Sequence, residues 1–252
     1  MKKLVIFFII CFHPIILIAQ QTNNNSPVAD HQNPLQITIF SEYTTQHYWR
    51  GLGRGNLFGK GPAFESRIIF KQNKWTYGLF AAASFDNIYK TAMPFVIYNV
   101  NYQFSVALQD IYSPGKTFWQ SDPLNFNINE SKHFVDFYTT YKFKKIPLNL
   151  KWASVVLGYD PKEDGGRNFS SYAEVSTVHK FGRWQASGAI GVTPWKGLYA
   201  KEAGICNLET KLQYNFTTSE TVPSCIYVKA TYNTITNFSH FIAGATFTLK
   251  LK

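Results

Sequence analysis

Charged side chains recur through this chain at alternate positions. Glu65 and Arg67 are two apart, as are Glu209 and Lys211, while Asp136, Lys151, Glu174 and Lys229 each stand between apolar neighbours. On an extended backbone this spacing turns charged groups to one side and apolar groups to the other. Enclosed together, such charges must pair, and where water reaches them they line a polar path. Other chemistry is weaker. Phe238-Ser239-His240 places a hydroxyl beside an imidazole, and a nucleophilic serine needs a histidine oriented by a third polar group. Adjacent strand residues face opposite sides, so Ser239 and His240 do not pair directly. Gly51-Leu-Gly53-Arg-Gly55 has glycines enough to cradle a phosphate, but it fits neither dinucleotide nor nucleotide loop spacing, and no helical pattern follows it. It reads as a flexible outer loop. No Cys, His and Asp cluster has metal-ligand spacing, and no cofactor is implied.

These residues need strands to position them. From Gly204 to Phe216 apolar and polar residues alternate without a break, with Cys206, Leu208, Leu212, Tyr214 and Phe216 on one face and Asn207, Glu209, Lys211 and Gln213 on the other. The length suits a strand crossing a bilayer at a tilt, for which about 9 to 11 residues are needed. The pattern predicts twelve such segments: 35–43, 63–71, 74–85, 94–102, 104–112, 132–143, 147–157, 169–179, 183–192, 204–216, 222–232 and 239–250. Their connections alternate between long and short. Phe70, Trp75, Tyr102, Phe104, Tyr141, Phe143, Phe181, Trp184, Tyr214 and Phe216 flank the short ones, with the parity of the apolar face. An aromatic belt at one end of a barrel has this signature, whereas a soluble sandwich gives aromatics no reason to gather outward there.

Lys2 and Lys3 precede an apolar run from Leu4 to Ala19, and polar residues follow, which is the pattern of a signal peptide over 1–20. Residues 21–34 read as a periplasmic leader and 35–252 as the barrel. Hydrophobic residues are 45% of the chain, yet no second long apolar stretch exists, which excludes a helical membrane protein. A net charge of +10 on an exported chain points to anionic lipid rather than nucleic acid. Arg50, Arg54 and Lys60, in a loop without acidic residues, are therefore candidates for contact with lipopolysaccharide phosphates. Cys206 and Cys225 read as single packed thiols of opposite facing. Gly244-Ala-Thr-Phe247-Thr-Leu249 is similar to the terminal signal by which barrel assembly machinery recognises its substrates.

The chain resembles the outer-membrane barrels known as TorF-like porins, chiefly those of Bacteroidetes-type bacteria. The likeness lies in Ser41-Glu-Tyr43 with Tyr48-Trp49-Arg50-Gly51, in Phe104-Ser-Val-Ala-Leu-Gln-Asp110-Ile-Tyr112-Ser-Pro114, and in Pro147-Leu-Asn-Leu-Lys-Trp152. Ser171-Tyr172-Ala-Glu174 and Pro194-Trp195-Lys-Gly197-x-Tyr199 extend it. In the family the first Ser-x-Tyr runs almost directly into Arg-Gly, whereas Thr44 to His47 intervene here. The resemblance implies a barrel more firmly than it implies a solute.

The expected architecture is thus all-β: a transmembrane antiparallel up-and-down barrel of about twelve strands, in a bacterial outer membrane. Three functions suit it: a porin-like passive channel for small solutes, a closed structural or partner-binding barrel acting through its loops, and a lipid-modifying barrel enzyme. The first ranks ahead of the second, and the third last, because the His-x-Ser-Asn-Gly type motif of barrel phospholipases is absent; at Gly158-Tyr-Asp-Pro161 the histidine is missing. In the channel, Glu65, Arg67, Asp136, Lys151, Glu174, Glu209, Lys211 and Lys229 line the lumen. With Glu42 added, and with Lys71 and Lys142 at the rim, four mid-barrel cations face five anions, so the expected ion preference is weak.

Facing can be tested on one strand. Arginine near a bilayer midplane costs about 2 to 4 kcal/mol on the lipid face of a barrel. Leu212→Arg is expected to lower the folded fraction on heat-modifiability gels well below that of Lys211→Gln. Equal tolerance would contradict the membrane-facing parity.

Overall fold

A computed structural model describes residues 34–53, 58–217, 219 and 221–251. The expected signal peptide, nearly all of the leader, and Arg54 lie outside the described residues. Twelve strands form: β1 (Gln36–Thr44), β2 (Ala63–Gln72), β3 (Trp75–Ser84), β4 (Lys90–Asn99), β5 (Phe104–Tyr112), β6 (His133–Lys142), β7 (Leu148–Gly158), β8 (Ser171–Phe181), β9 (Trp184–Thr193), β10 (Gly204–Asn215), β11 (Ser224–Asn233) and β12 (Phe238–Leu251). Each pairs antiparallel with its chain neighbours, and β1 closes the barrel against β12, from Ile37 opposite Leu251 to Thr44 opposite Gly244. Closure removes both sheet edges.

Alternation explains which way each strand faces. Along β11, Ile226 and Val228 are exposed on the outer surface, while Cys225, Tyr227 and Thr231 are buried inside. The short-turn end carries the aromatic belt. Trp75 packs on Tyr98 at 4.7 Å, Trp184 on Tyr214 at 4.9 Å, and Tyr141 on Phe143 at 5.1 Å between ring centres. Turns there are tight; Asn73, at φ 52°, takes the left-handed conformation the two-residue β2–β3 connection requires.

The structure departs from the expected strands in three places, one in extent and two in alternation. β4 begins at Lys90 rather than 94, because Pro94 sits inside the strand instead of starting it. Its ladder to β5 runs from Ala92–Tyr112 to Asn99–Ser105 in one register, interrupted at Met93 and Pro94. Proline lacks an N–H, so one rung is lost while β3 holds the other side. In β7, Val156 is skipped in the pairing with β6, so Val156 and Leu157 both face outward, 39% and 46% exposed.

The third departure concerns β10. Its register to β9 shifts between Ile205 and Asn207, and this bulge turns Cys206 and Asn207 both inward. Cys206, expected on the outer face, is fully buried inside. Both thiols therefore point into the barrel, but they are free and lie at opposite ends of β10: Cys225 pairs with Asn215. An impermeant maleimide is expected to leave both thiols unlabelled in the folded protein and to label both after heat unfolding. A mobility shift between reduced and non-reduced gels would contradict the separation.

Candidate functional site

The connection after β1 folds into the barrel. Trp49 and Leu52 exchange two backbone hydrogen bonds, Trp49 N–H to Leu52 at 2.9 Å and Leu52 N–H to Trp49 at 2.8 Å, which closes a two-residue hairpin. Arg50 (φ 49°) and Gly51 (φ 87°) at its tip are both left-handed, as a type I′ turn requires. Gly51 meets the second demand of this tip, since a Cβ there would lie 2.1 Å from the carbonyl oxygen of Cys206. The inward bulge of β10 and the missing side chain of Gly51 thus fit one another. Gly51, and Gly53 against the His240 ring, serve close packing rather than a phosphate, so residues 51–53 are no flexible outer loop. Trp49 packs against three separate buried clusters, around Phe58 and Phe80, around Ile111, Phe134 and Val155, and around Tyr172, Tyr199 and Cys206.

Left-handed geometry costs a non-glycine residue roughly 1–2 kcal/mol, and such strain persists where surroundings impose it. Arg50 is imposed upon from every side. Its Nη2 donates to Asp136 Oδ2 of β6 at 2.8 Å, and Nη1 donates to the Tyr199 hydroxyl at 2.6 Å. The guanidinium also lies over the rings of Trp49 (4.7 Å), Tyr172 (5.4 Å) and Tyr199 (5.8 Å). Gln109 donates to the same Asp136 oxygen at 3.0 Å. Tyr199 reaches this position because Asp160 accepts from Ser170, whose hydroxyl in turn accepts the N–H of Leu198 at 2.7 Å. Burial pushes the Tyr199 phenol above its ordinary value, so it meets Arg50 as a neutral group.

The limbs of the loop are tied as well. His47 Nδ1 bonds Glu65 at 2.7 Å, Gln46 bonds His240 at 2.7 Å, and Tyr48 donates to Asn207 at 2.7 Å. On the return, the N–H of Lys60 donates to Asp86 at 2.6 Å. That bond, with the Ser84 hydroxyl, holds the Asp86 carboxyl down to about 2.

Beneath the hairpin lies a cavity of about 590 Å³. It reaches down β2, β3 and β4 to Ile69, Thr76 and Ile97, close to the short-turn end. Of the residues expected to line a lumen, Glu65, Arg67, Lys151, Glu174 and Glu209 border it. Asp136 lies above, sealed by Arg50. Lys229 approaches Glu209 at 3.7 Å, and Lys211 sits 3.9 Å over the Tyr227 ring. Arg50, expected at an outer surface, belongs inside instead: its side chain is 7% exposed and has no reach to a lipid phosphate. It supplies the fifth cation that the strands alone lacked against five inward anions. Lys60 is exposed. Ser239 and His240 face opposite sides, the one exposed and the other buried. Sequence reasoning gave Tyr172, Tyr199, Asn207 and His47 no place in the site: strand parity already turned Tyr172 inward with Glu174 and Asn207 inward with Glu209, whereas Tyr199 and His47 come from loops without periodicity.

No protein-family model matches this chain, and no curated protein sequence matches it. Among solved structures, the barrel is similar to a KdgM porin, with a TM-score of 0.50 and 7% identity over 85% of this chain and 99% of that one. A KdgM porin in complex with disordered oligogalacturonate gives 0.46 and 8%, covering 86% and 98%. An outer membrane channel from Pseudomonas putida F1 gives 0.43 and 11%, covering 90% and 100%. At these identities the likeness is one of fold: a closed twelve-strand antiparallel barrel.

Removing one partner of a buried ion pair costs about 3 to 5 kcal/mol, whereas replacing both by apolar groups is often neutral. Asp136→Asn and Arg50→Ala are each expected to lower urea stability in micelles by that amount. The double variant Arg50→Met with Asp136→Leu should recover most of it. Additive losses would show that the two side chains are not coupled.

Proposed function

We propose that this chain is an outer-membrane barrel through which small solutes pass passively, with the Trp49–Leu52 hairpin as its constriction. The observation that carries the reading is the cavity below the hairpin. Inward side chains from opposite walls leave about 590 Å³ with charged groups facing it, rather than interlocking to fill the barrel. Twelve strands enclose less room than the 16 to 18 of open porins, so an inserted hairpin is sufficient to narrow the path. The belt of aromatics and the apolar outer face support a membrane setting. Exposed Lys60 is the remaining described candidate for a lipopolysaccharide phosphate.

Membership among the TorF-like porins is supported by where the shared motifs meet. Trp49 and Arg50 come from the first, Tyr172 from Ser171-Tyr172-Ala-Glu174, and Tyr199 from the Pro194-Trp195 segment, and the three rings surround one guanidinium. A lipid-modifying enzyme gains no support from the separated Ser239 and His240. A closed, partner-binding barrel is favoured by one observation, the packing of Trp49 into three clusters, which seals the lumen where the hairpin sits.

Planar-bilayer recordings separate these readings. Wild-type protein is expected to give small, steady conductance steps, and Arg50→Ala larger ones, because the hairpin loses its hold on β6. Silent bilayers with well-folded protein of both kinds would sink the channel and leave the closed barrel.

A further inference from the structure

The inward charges balance in number but not in availability. All five carboxylates are engaged: Glu42 accepts from the Tyr227 hydroxyl, Glu65 from His47, Asp136 from Arg50 and Gln109, Glu174 from the Tyr172 hydroxyl at 2.6 Å, and Glu209 faces Lys229. Among the inward cations of the described residues, Arg50 and Lys229 alone form ion pairs with carboxylates. Arg67, Lys151 and Lys211 make none among the described residues and rest instead on aromatic rings, Arg67 at 5.0 Å from Phe80 and Lys151 at 5.6 Å from Tyr138. Arg67 and Lys151 both border the cavity, and Lys211 does not.

Their placement on the barrel adds a second constraint. Arg67 is on β2 and Lys151 on β7, nearly opposite one another in a ring of twelve. The arc of wall between them, β3 to β6, presents mainly apolar groups to the cavity, Phe80, Met93, Phe95, Ile97 and Phe134 among them, with Thr76, Thr91 and Gln109 interspersed. The other arc is polar, with Glu174, Asn207 and Glu209. Glu174 opposes Lys151 in the β7–β8 ladder but forms no ion pair with it, and Glu65, two residues from Arg67, is bound to His47.

From these observations we infer that the cavity is a binding site for small organic anions with an apolar body, the anionic group held by Arg67 and Lys151 and the body lying on the β3–β6 arc. Cations on an enclosed, partly apolar wall attract an anion more strongly than they would in open water, and the volume is within the range of small-molecule sites. The inference replaces the weak preference expected from charge counting by a preference for anions. It deepens the channel reading and rests on it for passage, but binding is measured separately.

The test uses full-length protein refolded in micelles and isothermal titration with phenylpropionate, blank micelles being subtracted. Phenylpropanol removes the charge and acetate removes the body. Phenylpropionate is expected to bind roughly tenfold or more tightly than either. Arg67→Gln with Lys151→Gln should lose that margin while keeping its heat-modifiable mobility, and Lys116→Gln, on an exposed loop, should keep it. Equal affinity for phenylpropionate and phenylpropanol, or equal affinity of wild type and double variant, would overturn the inference. Should the double variant fail to fold, Arg67→Lys and Lys151→Arg, which keep the charge, are expected to retain the phenylpropionate preference; loss of it in both would also overturn the inference. Silent bilayers with binding intact would remove passage and leave the site.

Discussion

One buried ion pair, between Arg50 at a hairpin tip and Asp136 on the barrel wall, fixes what the lumen is. Two charges removed from water gain little net stability from their attraction, because desolvation offsets it. Their leverage lies in the alternative, since an Asp136 left without its partner is a buried charge in an apolar surround. The hairpin is held in place by that penalty more than by its own two backbone bonds. Several other features follow from the arginine's position: the left-handed backbone at residue 50, the glycine at 51, the bulge at Cys206 that receives it, and the loop from β9 that delivers Tyr199.

The barrel is consequently divided along its axis. Around the hairpin it is packed like a soluble core, three apolar clusters meeting at Trp49. Below, side chains stand back from one another and leave a cavity with one apolar and one polar wall. Four of the five inward anions have hydrogen-bond donors and Glu209 faces Lys229, while two of the three cations without ion pairs, Arg67 and Lys151, border the space. Packing and electrostatics thus assign different tasks to two levels of one cylinder, with the hairpin as the boundary.

Much of this was legible in the sequence. Period-two alternation identified all twelve strands, most within two residues of their observed ends, because a wall with lipid-like surroundings outside and charge inside leaves little freedom of facing. The short-turn aromatics pointed outward as parity required. Where the reading went astray, the cause is local. A bulge is invisible to alternation, so Cys206 was assigned to the wrong side. Pro94 resembled a strand start because proline is usually excluded from strand interiors. Arg50 read as a surface charge because loop residues have no period from which facing can be derived. One signal did exist. Four mid-barrel cations against five anions left a carboxylate without a partner, and the missing charge came from the loop.

Backbone amide exchange over residues 45–53 tests the inserted hairpin most directly. The N–H groups of Thr45, Trp49 and Leu52 are bonded to Ala243, Leu52 and Trp49 respectively. In refolded protein they should exchange as slowly as the amides of the neighbouring strands β1 and β12, on the scale of minutes to hours. Exchange as fast as that of the amides of exposed Lys201 and Glu202 would place the hairpin outside the barrel and contradict the account.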